Sequence, residues 1–156
     1  MQHDTWAIEL IPTERILPNE EHDETRLLEV LDNIARSGRW TAPIVLERAS
    51  LAVMDGHHRL AAARRLSLPR VPCVLLDYAQ VGVEARRPDY CVDGAQIIAR
   101  SRARLLYPSK TTRHIFPRPL PECSIEIAAL LGEREALSRL DRPTPASRTE
   151  IKGTPM

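Results

Sequence analysis

Val53-Met54-Asp55-Gly56-His57-His58-Arg59-Leu60-Ala61-Ala62-Ala63 is the stretch on which the fold turns. An apolar strand end runs into an acid, a glycine, two histidines and an arginine, and an Ala/Leu-rich helix follows at once. At such a junction the amides of Gly56, His57 and His58 point out of a helix N-terminus, where the dipole favours anions. Gly56 has no Cβ, so a ligand can approach the backbone. Arg59 can grip a phosphate with two donors at once. The composition is that of a small phosphate cradle. Asp55 is the odd member, because a carboxylate beside a phosphate needs a metal ion or a proton-transfer role. The plainer alternative is an aspartate cap with exposed histidines at a helix start. Adjacent histidines point in different directions on a helix, so the pair does not read as a zinc site.

Outward from this turn, Pro43 to Leu46 and Leu51 to Met54 are short apolar runs joined by Glu47-Arg48-Ala49-Ser50, which predicts two strands with a tight connection. His57 to Leu66 predicts a helix, and Val71 to Leu76 a buried strand with Pro72 at a sheet margin. Upstream, Trp6, Ile8 and Leu10 alternate in a strand over Thr5 to Ile11, stopped by Pro12. A loop from Ile16 to His22 leads into a helix over Asp23 to Ser37. Its expected apolar face is Leu27, Leu28, Leu31, Ile34 and Ala35, and Gly38 stops it. Downstream, Val81 to Val83 predicts a short edge, and Asp93 to Leu106 a helix with Ile97, Ile98, Ser101 and Leu105 inward and Arg100, Arg102 and Arg104 outward. Lys110 to His114 reads as a polar loop, and Ser124 to Leu131 as a short helix capped by Ser124. The expected fold class is α+β, a small mixed sheet flanked by helices. Residues 1–132 form one domain, and 133–156 are polar and rich in Pro, Thr and Ser, expected to be a disordered tail.

The 156 residues are 43% hydrophobic but only 4% aromatic, so the core must be aliphatic. Twenty-two basic residues nearly balance 21 acidic ones, giving +1 overall and no global field for nucleic acid or anionic lipid. Cys73, Cys91 and Cys123 are odd in number and widely spaced, which argues against a disulfide framework or a structural zinc site. The N-terminal residues do not read as a signal peptide, and no run of about 18 apolar residues could span a bilayer. The expectation is a cytoplasmic protein with no membrane partner.

Two further clusters could carry chemistry. Lys110-Thr111-Thr112-Arg113-His114 is basic and rich in hydroxyls, suited to an anion or an amine, or simply a solvated loop. Pro18-Asn19-Glu20-Glu21 puts two acids on a loop that opens a helix, and either could be a general base or an ordinary helix-start acid.

The three clusters in this order resemble the free L-serine kinases of the ParB/sulfiredoxin-like superfamily. The similarity rests on DGHHR within VMDGHHRLAAARRLSLPRVPCVLLDY, on Pro18 to Glu21 ahead of it and on KTTRH behind it, and covers about Trp6 to Pro117. The resemblance implies a ParB/sulfiredoxin-like fold and phosphorylation of L-serine to O-phospho-L-serine. The donor would be ADP or ATP, with Mg²⁺ held mainly by the nucleotide phosphates. It implies Glu20 as the base and Asp55 beside the reacting phosphate. Gly56, His57, His58 and Arg59 would hold the donor phosphates, and Lys110, Thr111, Thr112, Arg113 and His114 would hold the serine. A second reading is a non-catalytic ParB-like nucleotide-binding or DNA-associated regulatory module. The near-neutral charge argues against nucleic acid, as does a C-terminal part with only a short helix and a tail where a helix-turn-helix domain would be expected. A sulfiredoxin-type reductase needs a cysteine in the phosphate motif, where this chain has His57 and His58.

Overall fold

A computed structural model describes residues 6–132. Its centre is a four-stranded mixed sheet of β1 (Glu9–Pro12), β5 (Arg70–Leu76), β3 (Ile44–Glu47) and β4 (Val53–Asp55), in that order. β3 and β5 are almost wholly apolar because they are covered on both faces, and they pair in parallel from Ile44 opposite Cys73 to Glu47 opposite Leu76. β4 returns antiparallel to β3. The buried Glu47 carboxylate closes that turn, accepting from the Ser50 amide at 2.8 Å and its hydroxyl at 2.6 Å. β5 is interior, but its pairing with β3 begins only at Cys73, so Pro72 lies at the margin of that pairing, meets β1 alone, and costs no ladder bond to β3.

Alternation along the strands divides the core in two. Ile44, Leu46, Val53, Val71 and Cys73 face α2 (His57–Arg65), meeting its Leu60 and Ala63. Val45, Met54, Val74, Leu76 and Val81 form the other face, covered by Trp6, Ile8, Phe116 and Leu120. The core is aliphatic as expected, with Trp40 its one fully buried aromatic among the described residues. β1 is shorter than expected. Leu10 is 47% exposed and Ile11 is buried instead, so the inward alternation ends before the paired strand begins. Pro12 then starts a short 3-10 turn over Thr13–Arg15.

α1 (Glu24–Ser37) is capped by Asp23, whose carboxylate accepts from the Thr25 amide at 2.9 Å, and ends at Gly38 in the left-handed region. Its buried stripe is narrower than the expected face. Leu27 is buried and Val30, Leu31 and Ile34 are half-buried, while Leu28 is 54% exposed and Ala35 is exposed. Leu28 and Ala35 lie beyond the edge of the stripe that faces α2.

α3 (Gly94–Ala103) stops at Arg104 rather than Leu106 and leaves Leu105 exposed. Ile97 and Ser101 are buried as expected. Arg100 folds back over the Tyr107 ring, 4.0 Å from its centroid, rather than pointing outward. The KTTRH cluster is not a loop. Thr112–Ile115 form β7, antiparallel to β6 (Gly82–Ala85), and this ribbon is separate from the main sheet. Ile125–Glu126 form β8, which pairs with β2 (Arg39–Trp40), so the last helix starts at residue 127 and not at Ser124. The expected tail at 133–156 lies outside the described residues, as does Thr5.

Candidate active site

Glu20 sits where three parts of the chain converge. Its segment runs beside β4, through backbone bonds of Leu17 with Leu51 and Val53 at 3.0 Å. Asn19 is wholly buried, and its side-chain amide donates to the Val53 carbonyl at 2.8 Å. On the other flank Tyr107 closes the segment: its amide donates to the Asn19 carbonyl at 2.7 Å, and its carbonyl accepts from Glu21 at 2.8 Å. The Glu20 carboxylate then reaches the KTTRH segment. Oε1 accepts from the Lys110 amide at 3.1 Å. Oε2 accepts from the Thr112 amide at 2.7 Å and the Thr112 hydroxyl at 2.6 Å. With two acceptor directions per oxygen, Oε2 is saturated and Oε1 keeps one free.

The two histidines meet this segment from the other side. His57 Nε2 accepts from the Asn19 amide at 3.1 Å and the Glu20 amide at 3.2 Å, and His58 Nε2 accepts from the Asp23 amide at 3.0 Å. A backbone amide only donates, so both Nε2 atoms are unprotonated and the neutral rings carry their proton on Nδ1. Burial drives the His57 pKa down to about 3, reinforced by His58 and His22. Burial also lowers that of His58, together with Arg26 and His22, against the opposing pull of Asp23 and Glu20.

Asp55 ends β4, and Gly56 caps α2 at φ 114°. That backbone favours glycine, and a Cβ there would lie 3.2 Å from Ile44 Cγ2. The turn therefore packs tightly on β3. Asp55 and Arg59 are 4.0 Å apart and both partly exposed, a loose pair free to exchange partners. Glu20, Asp55, His58, Lys110 and Thr112 line one cleft of about 460 Å³, with Arg26 and Arg86 at its sides. Arg26 also borders a second cleft of about 570 Å³, lined by Arg59, Val30, Ile34 and Trp40. The Trp40 indole N–H is buried and has no partner among the described residues.

The KTTRH residues divide. Lys110 and Thr112 face the cleft. Thr111 is buried and its hydroxyl donates to the Pro108 carbonyl at 2.6 Å. Arg113 points to the outer side of the ribbon and pairs with Glu84 at 2.9 Å. His114 turns toward the sheet, its Nε2 2.8 Å from the Tyr78 hydroxyl and its ring stacked on Phe116. Burial lowers its pKa to about 4. The residues that sequence reasoning passed over are Asn19, Tyr107, Tyr78, Arg26 and Arg86. Only Asn19 had a local signal, as a polar residue between a proline and the candidate base.

Among the described residues no group of three or more His, Cys, Asp or Glu could hold a metal ion unaided, and no helix is long and apolar enough to cross a membrane. No family model matches the chain. A free serine kinase solved in complex with AMP superposes with a TM-score of 0.74 at 14% identity, over 81% of this chain and 95% of that one. The chain has the ParB/sulfiredoxin-like fold. In sequence, it is 32% identical over 83 residues to a ParB-like protein of Sulfolobus acidocaldarius, covering 52% of this chain and 40% of that protein. It is 31% identical over 81 residues to an ATP-dependent L-serine kinase of Desulfurococcus mucosus, covering 49% of this chain and 32% of that protein. The match thus spans well under half the length of these curated relatives.

Proposed function

We propose that this protein is a phosphotransferase that phosphorylates the hydroxyl of free L-serine, giving O-phospho-L-serine, with ADP or ATP as donor and Mg²⁺. One observation carries the reading: a carboxylate, Glu20, is fixed by Lys110 and Thr112 with one acceptor direction open on Oε1, in a cleft it shares with Asp55 and a helix N-terminus. The similarity to L-serine kinases and the shared fold support it.

Phosphoryl transfer needs positioning and charge neutralisation more than covalent chemistry. Glu20 Oε1 would accept the serine hydroxyl proton as the serine oxygen forms its bond to the terminal phosphorus. The bridging P–O bond breaks, and AMP leaves from ADP, or ADP from ATP. The amides of Gly56, His57 and His58 face the donor phosphates at the start of α2, and Arg59 neutralises them. The 570 Å³ cleft next to Arg59 has the size to take the nucleoside, with Val30, Ile34 and Trp40 as apolar patches in an otherwise polar lining. Asp55 fits a role beside Mg²⁺ because only the loose Arg59 pair holds it. The ion would offset charge between the phosphate oxygens, which supply most of its ligands. Lys110 and Thr112 meet the serine directly, while Thr111, Arg113 and His114 build the ribbon that presents them.

Incubation with L-serine, Mg²⁺ and ADP or ATP, followed by ³¹P NMR, tests the reading. O-phosphoserine from at least one donor is expected. Nucleotide binding with no product from either donor would overturn it in favour of a non-catalytic ParB-like module, which the similarity to the Sulfolobus acidocaldarius protein favours.

A further inference from the structure

We propose that the His57 imidazole is a positioning group for Glu20: its Nε2 pins the Asn19–Glu20 backbone and so sets where the carboxylate stands. This rests on Glu20 being the base of the reaction proposed above. The two amides of adjacent residues share one imidazole lone pair, at 3.1 and 3.2 Å. No other side chain among the described residues bonds these amides. The ring cannot also donate from Nε2 to a phosphate, because that atom carries no proton.

The surroundings make the bond rigid. His57 is the first residue of α2, so its own backbone is fixed by the helix and by Gly56, which packs on Ile44. Asn19 is wholly buried and held by two more hydrogen bonds, one to the Val53 carbonyl and one from the Tyr107 amide. The link therefore ties the donor-phosphate turn to the backbone of the base across 37 residues of sequence. The far end of the Glu20 side chain is tied to Lys110 and Thr112. His58 repeats the device one step on, at the Asp23 amide that opens α1. A shift of the Glu20 backbone by about 1 Å is enough to cost two orders of magnitude in rate.

Four variants and two measurements test this. In His57→Leu, kcat for O-phosphoserine formation should fall about 100-fold with the nucleotide KM changed less than about threefold. His57→Gln, whose side-chain oxygen can stand where Nε2 stands, should recover most of kcat. Arg59→Ala should do the reverse and raise the nucleotide KM. A His57→Leu variant that raises nucleotide KM at unchanged kcat overturns the proposal. Should His57→Leu fail to fold, His57→Gln against Glu20→Gln carries the comparison: a phosphate ligand would show its loss in KM. The second measurement needs no turnover, so it separates failure of this proposal from failure of the serine kinase reading. In ¹⁵N NMR at neutral pH, His57 Nε2 should show the shift of an unprotonated ring nitrogen, and the Asn19 and Glu20 amides should be protected from exchange. A protonated Nε2 or unprotected amides in the wild-type protein would overturn it.

Discussion

Glu20 Oε2 takes two hydrogen bonds from a single residue, the Thr112 amide at 2.7 Å and the Thr112 hydroxyl at 2.6 Å. The pair fixes the carboxylate plane, and Oε1, which accepts only from the Lys110 amide, keeps one acceptor direction open. Thr112→Val keeps the shape and the amide but removes the hydroxyl. Stability should fall by about 1 kcal/mol, measured by denaturant midpoint. Turnover should fall by more than stability alone explains, because the carboxylate can then rotate.

Glu20→Gln has two separable effects. The proton acceptor is lost, and turnover should fall at least about 100-fold. In either amide orientation, an NH₂ group faces a backbone N–H of Lys110 or Thr112, which should destabilise the protein by about 1–3 kcal/mol. Nucleotide affinity, measured by calorimetry, should change little.

Arg59 and Arg113 make a paired comparison. Arg59→Ala should weaken nucleotide binding by about 1.5–3 kcal/mol, the loss of one charge-assisted contact. Arg113 is spent on Glu84 across the exposed side of the ribbon. Such a surface pair contributes at most about 1 kcal/mol. Arg113→Ala should therefore leave both KM values and kcat near wild type.

Acid should loosen the site before it unfolds the core. The His57 pKa lies near 3 and that of His114 near 4, both below the free value because burial penalises the charged ring. An unfolded chain takes up those protons first as pH falls through about 6.5. Stability from these groups is thus complete above that pH and is lost progressively toward pH 4 and below. His57 alone contributes up to about 1.4 kcal/mol per pH unit in that window. Melting temperatures from pH 7.5 to 5 should fall, and His57→Gln should flatten the curve.

Gly56→Ala should be costly although it adds one methyl group. The backbone sits at φ 114°, and the new Cβ would press on Ile44 at 3.2–3.3 Å. A loss of about 1–3 kcal/mol is expected from the backbone strain alone. Nucleotide affinity should fall with it, because the turn that aims the amides must shift.

Much of this arrangement was legible in the sequence. The strand-to-helix turn at Asp55 to Arg59 declared itself through dense polar groups between two apolar elements. Gly38 marked the end of α1 through cap chemistry that depends on one residue, while the start was legible only to within a residue of Asp23. The fates of His57 and His114 were not legible. A histidine's type says what it can bond, but which nitrogen is used depends on elements 37 and 36 residues away. The same holds for Arg113, whose side of the ribbon is set by the pairing of β6 with β7, and a five-residue cluster read as a loop carries no register.

Thr112 lies 92 residues from Glu20, and Lys110, the other residue bonded to the carboxylate, lies 90 away. Closing so long a loop costs entropy before any contact repays it. The body of the sheet and α2 can form around local pairings first. The base should therefore acquire its final orientation late in folding, as the ribbon docks, and a chain emerging from synthesis would hold its phosphate turn well before it could do any chemistry.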